Sequence, residues 1–326
     1  MKKILKICGI IILLLLLAGI ILGVIGWVTK GPEGMQEVVD SVTGGRVSIN
    51  LDPLKNFGVV IQDGLDELNS VDYDINDATN FSPDHEILTG EVEKYCIGEN
   101  VQKLDIQTGG SEFRVEASGD NSLYIEATNV GKLQTYMEEG TLIVRTTSGS
   151  QKWNDIKGDK ITLYVPKDFH YSDICMELGA GKMDVSGLES DHIVLKVGAG
   201  QIDAEQLTAQ LLEANVGMGQ INMTDITVQN LDAEVGAGGM TAKGTVKGDA
   251  GVKCSVGSLD LQLAGSETEF NYHLIGTMGN ISLGGQDYSG VGMQRDIDNG
   301  AGKNLTAECA MGSIAIRFED GSTVRP

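Results

Sequence analysis

Aromatic residues make up only 5% of this 326-residue chain, proline occurs 5 times and tryptophan twice. A core with so few large rings must be built from Val, Ile, Leu, Met and Ala, which suits thin layered β-structure better than a thick globule. Positive charge is also scarce: 24 Lys and Arg stand against 46 Asp and Glu, for a net charge of −22. Phosphate backbones repel such a body, which argues against nucleic acid as a partner and against electrostatic docking on anionic lipid. The cysteines (Cys8, Cys96, Cys175, Cys254, Cys309) form no C-x-x-C and no tight cluster, so neither a disulfide framework nor a zinc site is indicated. The histidines (His85, His170, His192, His273) lack metal-ligand spacing, and no G-x-S-x-G is present. A lyase-type site needs carboxylates beside a cation on one face, whereas Lys182, Lys196, Lys243, Lys247 and Lys253 are dispersed. No catalytic, metal-binding or cofactor-binding residue is assigned, and the chain is not expected to be an enzyme; a polysaccharide-cleaving β-helix is the weaker alternative.

What the sequence does have begins at its N-terminus. No charged residue occurs between Lys6 and Lys30. At about 1.5 Å per residue, an apolar helix of this length crosses a hydrocarbon core of about 30 Å. Lys2, Lys3 and Lys6 favour the cytoplasmic side, which places everything after about residue 30 outside, and Trp27 falls where an interfacial aromatic belongs. A cleaved signal peptide is the rival, but the run is too long and no A-x-A-like site follows. Residues 1–30 are therefore expected to be a cytoplasmic tip and an uncleaved membrane anchor. Residues 31–94 read as an acidic juxtamembrane spacer, with a possible short helix from Asn56 to Asn69. Asp72, Asp74 and Asp77 lack the glycine and terminal glutamate of a calcium loop.

A repeat dominates the rest. In "LGAGKMDVSGL", "VGAGQIDAEQL" and "VGMGQINMTDI" the second glycine of each Gly-x-Gly recurs every nineteen residues, at Gly181, Gly200, Gly219, Gly238 and Gly257, with looser copies at Gly279 and Gly312. Apolar residues alternate on both sides of it: Ile193, Leu195 and Val197 before, Ile202 and Ala204 after, and so on through the copies. Period-two alternation means strands with one buried face. Each unit is then strand, glycine corner, strand, second turn, and stacked units share a core, as in a β-solenoid. The first glycine of the pair is replaced by Ser255, Thr277 and Ala310, the second never, so the marker glycines are expected to need φ > 0.

A dinucleotide loop would occur once and open a helix; this motif recurs and opens strands. Calcium rolls place an aspartate close to glycine with a nine-residue period, and here both position and period differ. The column Asp184, Asp203, Asn222, Thr241, Asp260, Ser282, Ala315 reads as an outward polar ladder, with weak Ca²⁺ binding not favoured. Cys254 and Cys309 fall in the inward column of Val197, Val216 and Val235, as small buried hydrophobes, while Cys175 points outward.

The stretch from "ENVQKLDIQTGGSEFRVEAS" through "TLIVRTTSGS", "KITLYVPKDF" and the glycine coils resembles the DUF4097 family of adhesin-like β-strand-repeat proteins, over roughly residues 95–318. The resemblance implies a β-solenoid at the cell surface or envelope, in some members associated with envelope stress responses, and it carries no catalytic residues. The expected organisation is an all-β chain: a β-segment over 95–177, then a solenoid of about seven glycine-cornered coils over 178–326. The Gly/Asp-rich stretch 285–304 is read as an inserted surface loop. The expected role is non-enzymatic binding or scaffolding at the envelope. A stress-response component acting through membrane partners is the alternative.

Overall fold

The computed structural model describes residues 81–97, 101–147, 159–167 and 169–319. The expected anchor in 1–30 and the spacer up to residue 80 lie outside the described residues, among which no helix is long and apolar enough to cross a membrane. The chain divides into two compact units, 1–65 and 66–326, and all described residues belong to the second.

Apart from one 3₁₀ turn (Glu267–Glu269), every described element is a strand. The chain opens with β1 (Leu88–Cys96), β2 (Lys103–Thr108), β3 (Glu112–Ala117), β4 (Tyr124–Glu138), β5 (Thr141–Thr147) and β6 (Lys160–Val165). The glycine coils follow as β7 (His170–Leu178), β8 (Lys182–Ser186), β9 (Glu189–Val197), β10 (Gln201–Glu205), β11 (Thr208–Val216), β12 (Gln220–Val235) and β13 (Gly239–Val246). They continue through β14 (Ala250–Cys254), β15 (Ser258–Ala264), β16 (Phe270–Gly276) and β17 (Asn280–Leu283). The chain closes with β18 (Gln286–Ser289), β19 (Met293–Ile297), β20 (Lys303–Cys309) and β21 (Ser313–Glu319).

The coils stack in parallel, as the nineteen-residue period demands: Ile202 pairs with Met183 on one side and Ile221 on the other. One ladder runs β5–β2–β7–β9–β11–β12–β14–β20–β16, and a second runs β6–β3–β8–β10–β12–β13–β15–β21–β17. The inward residues of all coils merge into one apolar core. Three successive coils also hold a third inward run that two-strand reading misses, at Leu188 and Ser190, Leu207 and Ala209, and Ile226 and Val228. Alternation slips by one residue between these runs, so these coils fold back on themselves at more than the glycine corner.

Order in space departs from order in the chain at both ends. The coil β20–β21 lies between β14–β15 and β16–β17, so the last coil in sequence is not the last in the stack. Likewise β2–β3 lies between β5–β6 and β7–β8. Both end coils are closed by antiparallel strands. At one end β4 pairs with β5 and β6, and β1 pairs with β4. At the other, β19 pairs with β16 and β18 with β17. Open parallel edges invite further strands, and antiparallel caps turn the stack's last hydrogen bonds inward.

Two boundaries shift accordingly. Residues 88–94, read as the end of the spacer, belong to β1, whose mostly exposed side chains hide the alternation that marks a strand. The stretch 285–304, read as a surface loop, contains β18 and β19 and forms the second cap. Its side chains are also largely exposed, so it has no apolar period to betray it.

Candidate functional site

The marker glycines sit at the third position of a three-residue bend between two strands in every coil. Of Gly181, Gly200, Gly219, Gly238, Gly257, Gly279 and Gly312, only Gly181 has a positive φ, at 90°, which corrects the expectation that the column requires that conformation. The requirement is steric instead. A Cβ on Gly200 would lie 2.7 Å from the carbonyl oxygen of Gly181, and one on Gly181 would lie 2.5 Å from that of Ser111. The same clash links Gly219 to Gly200, Gly238 to Gly219, Gly257 to Gly238, Gly312 to Gly257 and Gly279 to Gly312. Meanwhile the bend amides donate to the coil before, as Ala199 does to Gly179 at 2.7 Å and Met218 to Gly198 at 2.7 Å. The corner is thus a backbone ladder, closed to side chains and satisfied by its neighbours. The coil β2–β3 departs from the glycine rule with buried Ser111 at the marker position after "TGG", and in β5–β6 buried Asp159 stands beside it, its carbonyl accepting from the Glu112 amide.

Side chains at the middle of each bend point out. Met218 is 73% exposed and Val256 53%, and Met311 and Met278 are exposed beside them. These four are consecutive in the stack apart from Ala237 between the first two, and together they make a narrow apolar ridge along the corner.

The outward polar column forms on the second ladder, in the order Arg114, Asp184, Asp203, Asn222, Thr241, Asp260, Ala315, Ser282. Sequence spacing places Ser282 before Ala315; the inserted coil reverses them. It also misses Arg114, which comes before Asp184 from a coil without the glycine signature, and Thr162, which pairs with Arg114 on the other side. Carboxylate repulsion is relieved by cations and amides. Lys182 Nζ bridges Asp184 Oδ1 at 2.6 Å and Asp203 Oδ2 at 3.1 Å. Arg114 Nε lies 3.6 Å from Asp184, and Arg317 clasps Asp260 with 2.7 and 3.0 Å contacts. Asn222 Nδ2 and Gln201 Nε2 donate to Asp203 at 2.8 and 2.9 Å. Burial disfavours the Asp203 carboxylate, but the donors Asn222, Gln201 and Lys182 outweigh it and hold its pKa below the ordinary value. Among the described residues no group of His, Cys, Asp and Glu has the arrangement to hold a metal ion. Beside the column a shallow groove of about 520 Å³ runs across four strands from Arg114 and Glu116 to Asn222 and Thr224.

The first ladder carries a histidine strip on its outer side. His170 contacts Glu189 at 3.3 Å and Asp191 at 3.1 Å, and these carboxylates raise its pKa. His192 lies 3.4 Å from Asp173 and 3.0 Å from Glu213. His273 bonds Asp296 of the cap strand β19. His170 and His273 therefore each join two strands, and His192 joins three. Cys175 is half-buried, and burial pushes its thiol up to about 11.

The Toastrack DUF4097 family profile matches residues 101–294. No curated protein matches the chain. Among solved structures, a candidate adhesin from Bacteroides fragilis is 16% identical with a TM-score of 0.40, covering 72% of this chain and 99% of that one. A candidate cell adhesion protein from Clostridium sporogenes is 12% identical with a TM-score of 0.30, covering 73% and 100%. A candidate lipid-binding protein from Parabacteroides distasonis is 15% identical with a TM-score of 0.36, covering 73% and 96%.

Proposed function

The chain belongs to the Toastrack DUF4097 family, and on that footing we propose that it is a membrane-anchored, extracytoplasmic scaffold whose solenoid binds an envelope or surface ligand without turnover, in the manner of an adhesin. The groove beside the polar column carries this reading. Parallel stacking repeats donors and acceptors at strand spacing, about 4.8 Å, so the face presents a ruled strip of guanidinium, carboxylate, amide and hydroxyl groups. Arg114, Asp184, Asp203 and Asn222 are held in register by backbone pairing, so little side-chain freedom is lost when a ligand lies across them. Such an array suits a long, polar, repeating ligand. The anchor rests on the uncharged run between Lys6 and Lys30, and the outward topology on Lys2, Lys3 and Lys6.

The test uses full-length chain and a variant with Arg114→Glu and Asp203→Lys, each incubated with envelope extract and with purified envelope polysaccharides. Capture by the parent that falls at least tenfold in the variant, with the ligand recovered intact, supports the reading. Equal capture by both, or release of cleaved product, overturns it. Protease added outside intact cells should digest the solenoid; protection there would refute the topology.

A further inference from the structure

One inward column is traceable through the whole first ladder: Thr146, Thr108, Leu178, Val197, Val216, Val235, Cys254, Cys309, Gly276. Its chemistry changes along the stack. Thr146 and Thr108 hydrogen-bond to each other at 3.0 Å, four aliphatic residues follow, and then two thiols stand side by side. Chain order would separate those thiols by the coil that carries Gly276. Only the insertion of β20–β21 between β14–β15 and β16–β17 makes Cys254 and Cys309 direct partners. Both are buried, 2% exposed each.

We propose that Cys254 and Cys309 form a disulfide that latches the inserted coil β20–β21 to β14–β15. In-register strands are about 4.8 Å apart, within the range of roughly 4.4–6.8 Å that disulfide-bonded Cα atoms adopt. The two side chains leave neighbouring strands in the same direction, Cys254 Sγ lying towards the Gly312 corner and Cys309 Sγ towards the Gly279 corner, and rotating Cys309 about χ1 turns its sulfur back to Cys254. The bond would close a covalent loop around the terminal coil, β18 and β19. These are the elements whose position the chain order leaves least determined.

The oxidant is a disulfide, either of a dithiol protein or of a small molecule such as oxidised glutathione. Either cysteine can be the first nucleophile, and the exchange balances in the same way from both; from Cys309 it runs through a mixed disulfide at that residue. The Cys309 thiolate attacks the donor disulfide, whose S–S bond breaks and whose leaving sulfur takes a proton. Cys254 then loses its proton, attacks the mixed disulfide at Cys309 and releases the second thiol. The two cysteines give up two electrons and two protons, and the donor gains both. Because both sulfurs are buried, exchange happens while β20–β21 is undocked, as the chain folds or when that coil opens. An oxidising compartment for this chemistry rests on the extracytoplasmic reading above; the geometry does not.

Full-length chain is unfolded in reductant and refolded in a mixture of oxidised and reduced glutathione. It is then alkylated under denaturing, non-reducing conditions and mapped by mass spectrometry. The expected result is a Cys254–Cys309 linked peptide, with Cys96 and Cys175 alkylated, and a Tm several degrees higher before reduction than after. That redox difference should vanish in the Cys254→Ala and Cys309→Ala variants. Full alkylation of Cys254 and Cys309, or linkage of either to another cysteine, overturns the proposal, as does an unchanged Tm on reducing a linked chain. The same map on chain taken from its own cells separates the two readings: a link formed in glutathione but missing in cells supports the latch and counts against an oxidising location.

Discussion

The carbonyl oxygen of Gly257 occupies the space that a Cβ on Gly312 would need, although a whole coil and a cap lie between them in the chain. Backbone meets backbone there because the two corners are adjacent in the stack. The neighbouring corner, Gly279, packs in turn on Gly312, with its missing Cβ 2.9 Å from that residue's oxygen. The glycine column therefore records the true coil order as well as the coil length.

Mutating one corner tests this steric account. In Gly238→Ala the new methyl meets the Gly219 carbonyl, a Val216 methyl and Met218 backbone, none of which can swing aside. Overpacking costs about 1–3 kcal/mol where neighbours can yield, and the upper end or beyond is expected against backbone. Gly119→Ala, where the space is open and φ is ordinary, should change stability by less than about 0.5 kcal/mol. Chemical denaturation of the pair measures the difference. Equal costs would mean the corner tolerates a Cβ.

Arg145 and Asp105 make a second structural test at the far end of the stack. The guanidinium donates to Asp105 Oδ2 at 2.6 Å, to Oδ1 at 3.0 Å and to the Asp105 carbonyl at 2.9 Å, with its side chain only 11% exposed. It therefore joins β5 to β2, coils that are adjacent in space but out of chain order. Arg145→Met leaves these acceptors short of a donor and should cost about 1–3 kcal/mol. Adding Asp105→Asn should recover part of that loss, which a double-mutant cycle reads directly.

Much of this architecture was legible in the sequence, and the gaps have physical causes. Wherever one face of a strand is buried, alternation exposes it, as at Ile193, Leu195 and Val197. Coil length followed from the glycines because at these seven corners a Cβ would meet the backbone of the neighbouring coil. Coil order was not legible: Leu259, Ile281 and Ile314 all sit two residues after a corner, and each would pair equally well with either of the others. The caps were missed because β1, β18 and β19 bury little. In the polar column Asp184, Asp203 and Asn222 were placed by spacing, whereas Arg114 lies in a coil with no glycine marker and needed the pairing register.

If β18 and β19 are a cap, replacing residues 286–297 with a flexible linker should uncover the outer edges of β16 and β17. Exposed edges recruit strands from other molecules. The altered chain should associate in a concentration-dependent way that the parent does not show, read by sedimentation or light scattering. Unchanged hydrodynamic behaviour would return this stretch to the status of a dispensable loop.

The two charged strips should respond to pH with opposite signs. Asp203 has a folded-state pKa below its ordinary 3.8, so its contribution is present above that value and lost as pH falls through the lowered one. His170 is raised above 6.5 by Asp191 and Glu189, so its contribution is complete below 6.5 and lost as pH rises through the raised value. Comparing Tm for the parent and Asp203→Asn should therefore give a gap that closes toward acid. The gap between the parent and His170→Gln should close toward alkali. Both gaps will be small, because these side chains are partly or largely exposed and solvent screens them, so the sign of each trend is the informative quantity. A His170→Gln gap that widened above neutrality would mean that the ring acts through packing, and that its carboxylate partners do no electrostatic work.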